Sequence, residues 1–290
     1  MISIRPILVL SLAGVILSGC ASKTEKTKVT ESQEVTPGTQ EVSPNIYSLV
    51  TYNVGVFNKS GTNTSSMVAS MMTELGAQAV SMNELDSCTT RNPTFQIGDF
   101  AKLMKGWNYQ FAPAINYKGG KYGVGIVSSP ELKIIRKGCI TLDKLDGAEQ
   151  RAMGFMEFED FVFCSTHLDH RSASAQLAQA GIINTWVKEN YGSTDKPVIL
   201  CGDFNAYPDS ETISFMKREW RIISPLQPTF SAKNPTKCID YFMVYNNAAS
   251  RVSILQASVP TVFSSGDVTV ASDHLPVFMK VQIAPVQVLN

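Results

Sequence analysis

The sequence CGDFNA at residues 201–206 and the sequence SDH at residues 272–274 each lie where an apolar run ends. The runs are residues 198–201 and residues 268–271. Short apolar runs followed by turn residues are typical of buried strands, so each is predicted to be a strand that leads to a carboxylate. A carboxylate at the end of a buried strand is costly unless it binds a metal, a partner or a substrate. The two stretches therefore indicate a metal-dependent enzyme.

The three histidines of the chain lie in comparable positions. His167 and His170 follow the apolar run at residues 161–164, and His274 follows Asp273. Imidazole changes charge near neutral pH, and perturbed titratable groups concentrate at functional sites. The placement beside aspartates indicates binding or proton transfer, although His170 matches no specific role and fits a plain loop position.

Residues 1–19 have the features of a bacterial lipoprotein signal peptide. Arg5 precedes an apolar stretch that is too short to span a bilayer, and the stretch ends in LSGC at residues 17–20, which resembles a lipobox. Cleavage before Cys20 and acylation of its thiol would anchor the protein to the cell envelope. An ordinary secretory signal and an uncleaved anchor are the alternatives. Ala21, which is not an aspartate, favours the outer membrane in a cell with two membranes, so that the protein faces the periplasm or the exterior.

Residues 20–44 are rich in Thr, Lys, Glu, Ser and Pro and contain almost no large apolar side chain. Such a segment cannot bury enough surface to offset its ordering entropy, which predicts a flexible tether. The globular composition of residues 45–286 predicts one catalytic domain.

The formal net charge is zero, so the charge does not indicate a nucleic-acid partner, although it does not exclude one. Nothing in the sequence indicates a protein partner.

The apolar pattern of this domain predicts many strands with interspersed helices, which is a mixed α/β arrangement. Strand 48–53, a helix capped by Ser65 or Ser66 and strand 78–82 form a strand–helix–strand unit. Further helices are predicted at residues 95–104, 173–188 and 209–216, and further strands at residues 109–114, 122–128, 132–142, 152–158, 161–166, 197–201, 239–245, 252–255 and 275–281.

Six short motifs resemble, in the same order, those of the endonuclease/exonuclease/phosphatase superfamily. They are TYNVG at residues 51–55, NELD at 83–86, STHLD at 165–169, GDFN at 202–205, IDYF at 239–242 and SDHLP at 272–276. The resemblance covers about residues 46–284. Six motifs in order are far more specific than any one of them. The resemblance implies a four-layer α/β/β/α sandwich of two packed mixed sheets flanked by helices, with the active site at one edge.

The resemblance also implies a metal site built from oxygen ligands. Glu84 would be the principal ligand, and Asn53 and Asp273 would bind directly or through water. Mg²⁺ is the expected ion, with Mn²⁺ as a substitute, because hard cations prefer carboxylate and amide oxygens.

The catalytic groups follow from the same resemblance. Asp203 would orient or deprotonate the attacking water, and Asn205 would hydrogen-bond a phosphate oxygen. His274, held by Asp240, would clamp the phosphate as a cation or carry a proton, because a paired carboxylate raises the basicity of imidazole. His167 would contact the phosphate and protonate the leaving group. Whether Asp203 or His274 is the formal base stays open.

Arg151 resembles an arginine that binds substrate phosphate in relatives, with a surface salt bridge as the alternative. The Gly-rich segment at residues 117–122 predicts either a plain hairpin or a rim of the substrate site. Two departures from the family pattern concern His167 and the helix after it. Residues 119–120 are glycines in the region where relatives carry a glutamate that supports the histidine, and Gln176 replaces an arginine. The missing glutamate puts a general-acid role of His167 in doubt, and Gln176 removes one possible phosphate contact or salt bridge.

The chain has six cysteines, of which Cys20 is the predicted lipidation site. Cys164 and Cys201 lie within apolar strand runs and are predicted to be buried thiols. Cys88 and Cys238 lie close in sequence to proposed site residues, and an oxidising envelope permits a disulfide between them.

These observations predict a lipid-anchored, divalent-metal-dependent phosphoesterase that hydrolyses a phosphodiester or a phosphomonoester by in-line attack of water. The zero formal charge favours a small molecule or a lipid head group as the substrate. One alternative is a deoxyribonuclease-type nuclease of the periplasm or cell exterior. The other is a non-catalytic surface binding lipoprotein on the same scaffold, against which the full set of acidic and imidazole groups argues.

Overall fold

Two six-stranded sheets form the centre of the computed structural model, which describes residues 45–285. The predicted signal peptide, the lipidation site Cys20, the tether and residue 286 of the predicted domain lie outside the described residues. Within the described range, no helix combines the length and the apolar character needed to cross a membrane.

The strands are, in chain order, β1 (Asn45–Asn53), β2 (Ala79–Ser87), β3 (Asn108–Tyr117), β4 (Gly120–Ser128), β5 (Ile134–Leu142), β6 (Arg151–Phe158), β7 (Val162–His167), β8 (Val198–Asp203), β9 (Trp220–Ile222), β10 (Asp240–Tyr245), β11 (Val252–Ser258) and β12 (Val277–Ile283). The helices are α1 (Ser65–Glu74), α2 (Gln96–Leu103), α3 (Ala173–Tyr191), α4 (Glu211–Met216) and α5 (Val268–Ala271).

The first sheet has the strand order β11-β12-β1-β2-β4-β3, and the second has the order β5-β6-β7-β8-β10-β9. Each sheet contains a central parallel pair, β1–β2 in the first and β7–β8 in the second, and its other neighbouring strands run antiparallel. Parallel strands need a crossover connection, which α1 and α3 provide. The two sheets are therefore built around the same strand–helix–strand unit, which delivers the carboxyl ends of its two strands to one edge.

Helices cover the outer face of each sheet. Met71 of α1, Phe100 of α2 and Val268 of α5 pack in the apolar cluster on the first sheet. Ile183 of α3 and Ile213 of α4 pack in the cluster on the second sheet. Burial of this apolar surface is the main favourable term in folding. The predicted four-layer α/β/β/α fold is confirmed, and a third apolar cluster fills the space between the sheets with Leu49, Ala79, Phe163, Ile199 and Met279 among its members.

The space between the sheets changes from apolar to polar toward one edge. Leu49 belongs to the apolar cluster, whereas Thr51, two residues further along β1, donates its hydroxyl to Ser81 Oγ at 3.2 Å. Ser81 in turn donates to Ser165 Oγ of the second sheet at 2.7 Å. Strand residues two apart point to the same face, so the faces that carry the core also carry hydroxyls to this edge. We call Thr51, Ser81 and Ser165, all completely buried, the interlayer polar seam.

The predicted strand at residues 268–271 is wrong, because these residues form the short helix α5. Asp267 caps this helix by accepting the backbone N–H of Thr269 at 2.8 Å. Val268 and Ala271 both pack in the apolar cluster on the first sheet. Their spacing of three places them on one side of a helix but on opposite faces of a strand, which is why the helix forms.

The predicted N-cap of α1 also differs in the structure. Neither Ser65 nor Ser66 precedes the helix, because Thr64 occupies the N-cap position. The Thr64 hydroxyl makes no capping bond and donates instead to the carbonyl of Ala271 at 3.0 Å. The cap residue is therefore used to attach α1 to α5, a tertiary contact that local sequence does not encode.

Cys88 and Cys238 are both free thiols, so the disulfide that an oxidising envelope would permit is not formed. Cys88 is exposed and has a left-handed φ of 54°. Cys238 is buried in the apolar cluster that α3 and α4 cover. The two sulfur atoms therefore face different surroundings. Cys164 and Cys201 are buried thiols, as predicted.

Candidate active site

The polar side chains of the sequence motifs reach one edge of the sandwich because of the strand directions. Asn53 ends β1, and His167 and Asp203 end β7 and β8. Asp240 begins β10, which runs antiparallel to β8 and places Asp240 directly opposite Asp203. His274 precedes β12, which runs antiparallel to β1, so this histidine arrives at the same edge from the start of a strand.

A cavity of about 500 Å³ lies at this edge and is lined by residues of both sheets. Asn53 and Asp240 are buried behind its wall and contact lining residues. The predicted site residues that line the cavity are Glu84, Arg151, His167, Asp203, Asn205, Asp273 and His274.

Glu84 owes its orientation to an irregularity in β2. The pairing of β2 with β4 shifts between Met82 and Leu85, and Glu84 has a left-handed φ of 58°. A bulge of this kind turns a side chain out of the regular alternation of a strand. The Glu84 carboxylate accepts a hydrogen bond from Asn53 Nδ2 at 3.2 Å and lines the cavity.

Asn53 is completely buried and orients carboxylates from both sheets. Its Oδ1 accepts the backbone N–H of Gly55 at 3.1 Å, which leaves the amide nitrogen facing the site. Asn53 Nδ2 donates to Glu84 Oε1 and also to Asp203 Oδ2, the latter at 3.0 Å. The amide oxygen, which the sequence predicts as a metal ligand, is therefore directed at Gly55, and the amide nitrogen aligns the two carboxylates.

Asp203 lies at the centre of the site. Its Oδ1 accepts the backbone N–H of Asn205 at 2.9 Å, and its Oδ2 lies 3.4 Å from His167 Nε2 and 3.6 Å from His274 Nε2. Burial, and then the neighbouring Asp240 carboxylate, raise the pKa of Asp203 to about 7. A carboxylate with a pKa near neutrality is suited to take a proton from water.

His274 is a cation at neutral pH. Its Nδ1 lies 2.9 Å from Asp240 Oδ2. Burial by itself lowers the pKa of His274, but the charges of Asp240 and then Asp203 outweigh burial and raise the pKa to about 9. Asp240 is held in turn by Thr229, whose hydroxyl donates to the same Oδ2 at 2.6 Å. The result is a buried imidazolium fixed between two carboxylates.

Asp203, Asp240 and His274 have potential ligand atoms within 4.8 Å of one another, a spacing that could hold a metal ion. In the metal-free protein Asp240 Oδ2 accepts two hydrogen bonds, whereas Asp240 Oδ1 is buried and has no hydrogen-bond partner among the described residues. With His274 protonated, the same cluster is also placed to hold and move protons.

His167 differs from His274 in charge. Its Nδ1 lies 3.3 Å from Arg151 Nη1, which can only donate, so the ring proton resides on Nε2 and faces Asp203. Burial, and then the charge of Arg151, hold the pKa of His167 well below its usual range. His167 is therefore a neutral donor, which agrees with the missing glutamate noted in the sequence.

Arg151 is almost completely buried and lines the cavity. Its guanidinium pairs with Glu149 at 3.0 Å and places Nη2 3.0 Å from His170 Nδ1. The salt bridge that the sequence left as an alternative thus exists, but it lies at the cavity and not on the outer surface. His170 also lines the cavity. Its sequence position did not predict this, since the position depends on a contact with Arg151, which joins β6 to the loop after β7.

Asn205 and Gln176 hold the loop beside Asp203. Asn205 has a left-handed φ of 49°, and its Nδ2 donates to the carbonyl of Leu168 at 3.1 Å. Gln176 Nε2 donates to the carbonyls of Asp169 and Asn205 at 2.7 and 2.9 Å. Gln176, which stands where relatives carry an arginine, therefore connects the loop after β7 to the loop after β8 through hydrogen bonds.

Glu84 and Asp273 converge on a cation. Lys59 Nζ lies 3.3 Å from Glu84 Oε2 and 3.0 Å from Asp273 Oδ2. Two carboxylates that share one cation at a cavity wall form a set of hard oxygen donors, which fits Mg²⁺ or Mn²⁺. Lys59 was not found from the sequence, because it lies in a polar loop without an apolar pattern.

Aromatic and basic residues complete the cavity wall. Four further residues line it, none of which lies in one of the six sequence motifs: Tyr122, Tyr207, Phe230 and Lys237. The Gly-rich segment at residues 117–122 is the turn between β3 and β4, and it is both a hairpin and, through Tyr122, part of the cavity wall.

Comparison with known proteins places the chain in a family. The sequence model of the Endonuclease/Exonuclease/phosphatase family matches residues 50–274. A comparison with curated proteins gives no match. An endonuclease/exonuclease/phosphatase from Bacteroides vulgatus is 17% identical, with a TM-score of 0.68 over 82% of this chain and 99% of that chain. The mannosyl-6-phosphatase of Bacteroides thetaiotaomicron is 18% identical, with a TM-score of 0.63 over 81% and 99% of the two chains. The catalytic domain of human nocturnin with bound sulfate is 16% identical, with a TM-score of 0.61 over 83% and 94%.

The fold and the edge site together define an α/β sandwich of two packed mixed sheets with a polar cavity at one edge. The family match covers most of the chain, so the protein belongs to the endonuclease/exonuclease/phosphatase family, whose members hydrolyse phosphoesters. The likeness to the solved structures is at low identity and shows the shared fold alone.

Proposed function

We propose that the protein is a divalent-metal-dependent phosphoesterase that hydrolyses a phosphodiester or phosphomonoester of a small molecule or a lipid head group. One observation carries the proposal. Asp203, with a pKa of about 7, lies between a neutral imidazole and a protonated one, those of His167 and His274. This arrangement offers a proton acceptor (Asp203), a proton donor (His274) and a neutral hydrogen-bond donor (His167) within one small volume, which suits water attack on a phosphoester.

In the proposed reaction Asp203 accepts the proton of the attacking water. The imidazolium of His274 binds a phosphoryl oxygen and stabilises its charge, since charge-assisted hydrogen bonds are the strong ones. The imidazolium of His274 also supplies the proton that the leaving oxygen takes up, which balances the proton that Asp203 accepts from water. His167, which is neutral, donates a hydrogen bond through Nε2–H to a phosphate oxygen, and the Asn205 amide lines the cavity beside them. A divalent cation held by Glu84 and Asp273 would neutralise charge on the phosphate.

The cavity favours a small ligand over a polymer. Its volume of about 500 Å³ suits a small molecule or a head group. Arg151 and Lys237 are the arginine and the lysine of its lining, which also contains the carboxylates of Glu84, Glu149, Asp203 and Asp273. A nucleic-acid track would require a continuous basic surface. Arg151, in contact with both His167 and His170, is placed to bind a phosphate or the group next to it.

A substrate panel tests this function. The full chain would be assayed with nitrophenyl phosphate, bis-nitrophenyl phosphate, sugar phosphates, inositol phosphates, sphingomyelin vesicles and DNA, each with Mg²⁺, Mn²⁺ or EDTA. Sugar phosphates belong in the panel because one protein of the same fold is named a mannosyl-6-phosphatase. We expect turnover of a small or head-group phosphoester that requires the metal.

The outcomes of the panel separate the alternatives. Full activity in EDTA after dialysis would overturn metal dependence. Turnover of DNA alone would establish the nuclease, and no turnover with any substrate would favour the binding protein. An identically prepared Asp203→Asn variant controls for contaminating phosphatases.

We also propose that the protein is anchored at the bacterial envelope by acylation of Cys20. The proposal rests on the signal pattern of residues 1–20. Bacteria expressing the full chain would be labelled with a fatty-acid analogue and fractionated. Cys20→Ala should lose the label and leave the membrane fraction, whereas Cys139→Ala, which removes an exposed thiol elsewhere, should keep both. Label retained by Cys20→Ala would contradict the anchor.

A further inference from the structure

Lys59 lies where the proposed function requires a divalent cation. Its ammonium contacts both Glu84 and Asp273, the two carboxylates assigned to the metal. The Lys59 side chain is about one-third exposed, so it is neither a core residue nor a freely solvated one. An ion pair of this kind neutralises two converging carboxylates that would otherwise repel each other.

The loop that carries Lys59 is built to hold the side chain in this position. Gly55, Val56 and Phe57 have consecutive left-handed φ values of 52°, 52° and 54°. This conformation is costly for a β-branched or bulky residue, and it persists only where the surroundings enforce it. Gln96 Nε2 donates to the Val56 carbonyl at 2.7 Å.

Packing fixes the loop from two further directions. Phe57 is buried and stacks on Phe100 with ring centroids 5.4 Å apart. At Gly55 the space that a Cβ would need is filled by the Lys59 stem, so the absence of a side chain there lets the stem cross toward the carboxylates. These contacts of residues 55–57 fix the backbone from which the Lys59 side chain extends toward the carboxylates.

We propose that Lys59 is an internal counter-cation that competes with the divalent metal for Glu84 and Asp273. This inference rests on the proposed function, since it concerns the same metal site. In the metal-free enzyme the ammonium occupies both carboxylates, and binding of the metal requires that it leave them. A second cavity of about 260 Å³, whose lining includes Lys59, Ser60, Ser231, Lys233 and Asp273, provides space beside the pair for the displaced ammonium, which would share this cavity with the Lys233 side chain. Lys59 therefore sets the metal concentration at which the enzyme becomes active.

Metal binding measured without substrate tests this competition. Isothermal calorimetry with Mn²⁺ would compare the full chain with Lys59→Met, Lys59→Arg and Lys237→Met. Lys237 lines the main cavity, as Glu84 and Asp273 do, and its Nζ lies 5.4 Å from the ring centroid of Phe230. Lys237→Met therefore removes the same charge and nearly the same bulk from a wall of that cavity, without removing the ion pair that Lys59 makes.

Direct competition predicts that Lys59→Met binds Mn²⁺ at least about tenfold more tightly, because the metal no longer displaces a cation. We expect Lys237→Met to change the affinity less than about threefold, which is the effect of a general change in cavity charge. Lys59→Arg keeps the charge and should stay close to the parent protein. An unchanged or weaker affinity in Lys59→Met would overturn the proposal.

Thermal melts make the result independent of any folding defect. Lys59→Met should melt at a lower temperature than the parent in EDTA, because two carboxylates lose their counter-charge. It should gain more stability from saturating Mn²⁺ than the parent, because tighter binding to the folded state stabilises more. An equal gain would again contradict the proposal. If neither protein binds Mn²⁺, the metal dependence of the proposed function fails as well, whereas normal binding by the parent with no change in Lys59→Met removes only the role of Lys59.

Discussion

The two sheets carry the same strand–helix–strand unit but contribute different chemistry to the site. The first sheet supplies Glu84, and Asp273 precedes its strand β12, with side chains 20% and 34% exposed. The second supplies His167, Asp203 and Asp240, with side chains at most 7% exposed. His274, which also precedes β12 of the first sheet, is 5% exposed and belongs with this buried group. Carboxylates that reach solvent remain available to a cation, whereas burial raises the pKa of Asp203 to about 7, in the range that suits proton transfer. Depth alone therefore divides one edge into a cation-binding half and a proton-handling half.

Asp203→Asn should have the largest effect, because it removes the proton acceptor of the buried half. We expect a loss of about 10³-fold in kcat, or about 4 kcal/mol of barrier, since general base catalysis contributes on this scale. Excess Mn²⁺ should not restore the rate. Asp209→Asn, at an exposed position on the same chain segment, should leave kcat within about twofold. A folded Asp203→Asn enzyme with a near-parental rate would refute the assignment.

Asn83→Ala should break the connection between the two halves. Asn83 is buried, its Nδ2 donates to the Thr166 carbonyl at 2.8 Å, and its Oδ1 accepts the Asp203 N–H at 3.0 Å. Two buried backbone groups would lose their partners, which should lower the free energy of unfolding by about 3 kcal/mol in urea titrations. Asn116→Ala, at an exposed position, should cost less than about 0.5 kcal/mol. Equal costs for the two variants would show that Asn83 does not join the sheets.

Glu84→Gln should affect the cation-binding half alone. The variant keeps the shape of the side chain and removes one charge, so the Mn²⁺ concentration for half-maximal rate should rise by about 30-fold. Excess Mn²⁺ should restore part of the rate, in contrast to Asp203→Asn. Glu149→Gln, on the same cavity wall but paired with Arg151, is the matched control and should shift the metal requirement less than about threefold. A Glu84→Gln enzyme with parental metal dependence would place the metal elsewhere.

The pH profile should report the proton-handling half. Asp203 acts when it is deprotonated and His274 when it is protonated, so kcat/KM should rise through about pH 7 and fall above about pH 9. Asp240→Asn removes a negative charge that raises both pKa values, and both limbs should therefore move to lower pH, by about one unit at the alkaline side. A profile with unmoved limbs in Asp240→Asn would dissociate these groups from catalysis.

Thiol titration should show the smallest effect. Cys88 follows β2 of the first sheet and Cys238 precedes β10 of the second, so a disulfide between them would link the two sheets covalently, but both thiols are free. We expect the five cysteines of the described residues to react with a thiol reagent in denaturant, and the melting temperature to be the same with and without reductant. Two missing thiols would contradict the structure at this point.

Much of the fold could be predicted because its signals are local. The apolar runs before His167 and Asp203 are long enough to specify buried strands, and the order of the motifs specifies how these strands combine. The run at residues 268–271 was misassigned because four apolar residues do not distinguish a strand from a helical turn. The difference was decided by contacts with α1, which lies far away in the sequence.

The candidate site, like the fold, contains some features that the local sequence predicts and others that depend on long-range contacts. Asp203, Asp240 and His274 lie in motifs and could be named from the sequence, and so could the pairing that makes His274 a cation, but the burial that raises the pKa of Asp203 could not. Lys59 reaches Glu84 through a left-handed loop that no local pattern announces. His170 acquires its place in the cavity from Arg151 on another strand. Residue types are thus readable from the chain, whereas exposure and long-range pairing require the folded structure.

Because of the interlayer polar seam, local separation of the two sheets should change the heat capacity by a different amount at the site edge than at the opposite, apolar end of the sandwich. Exposure of apolar surface raises the heat capacity, and exposure of polar surface lowers it. Separation at the end packed by Leu49 and Phe163 therefore has a strongly curved temperature dependence, whereas opening at Ser81 and Ser165 has a nearly linear one. Hydrophobic packing weakens on cooling, and the seam does not depend on it. The edge that carries the site is therefore the part of the contact between the sheets that loses least strength in the cold.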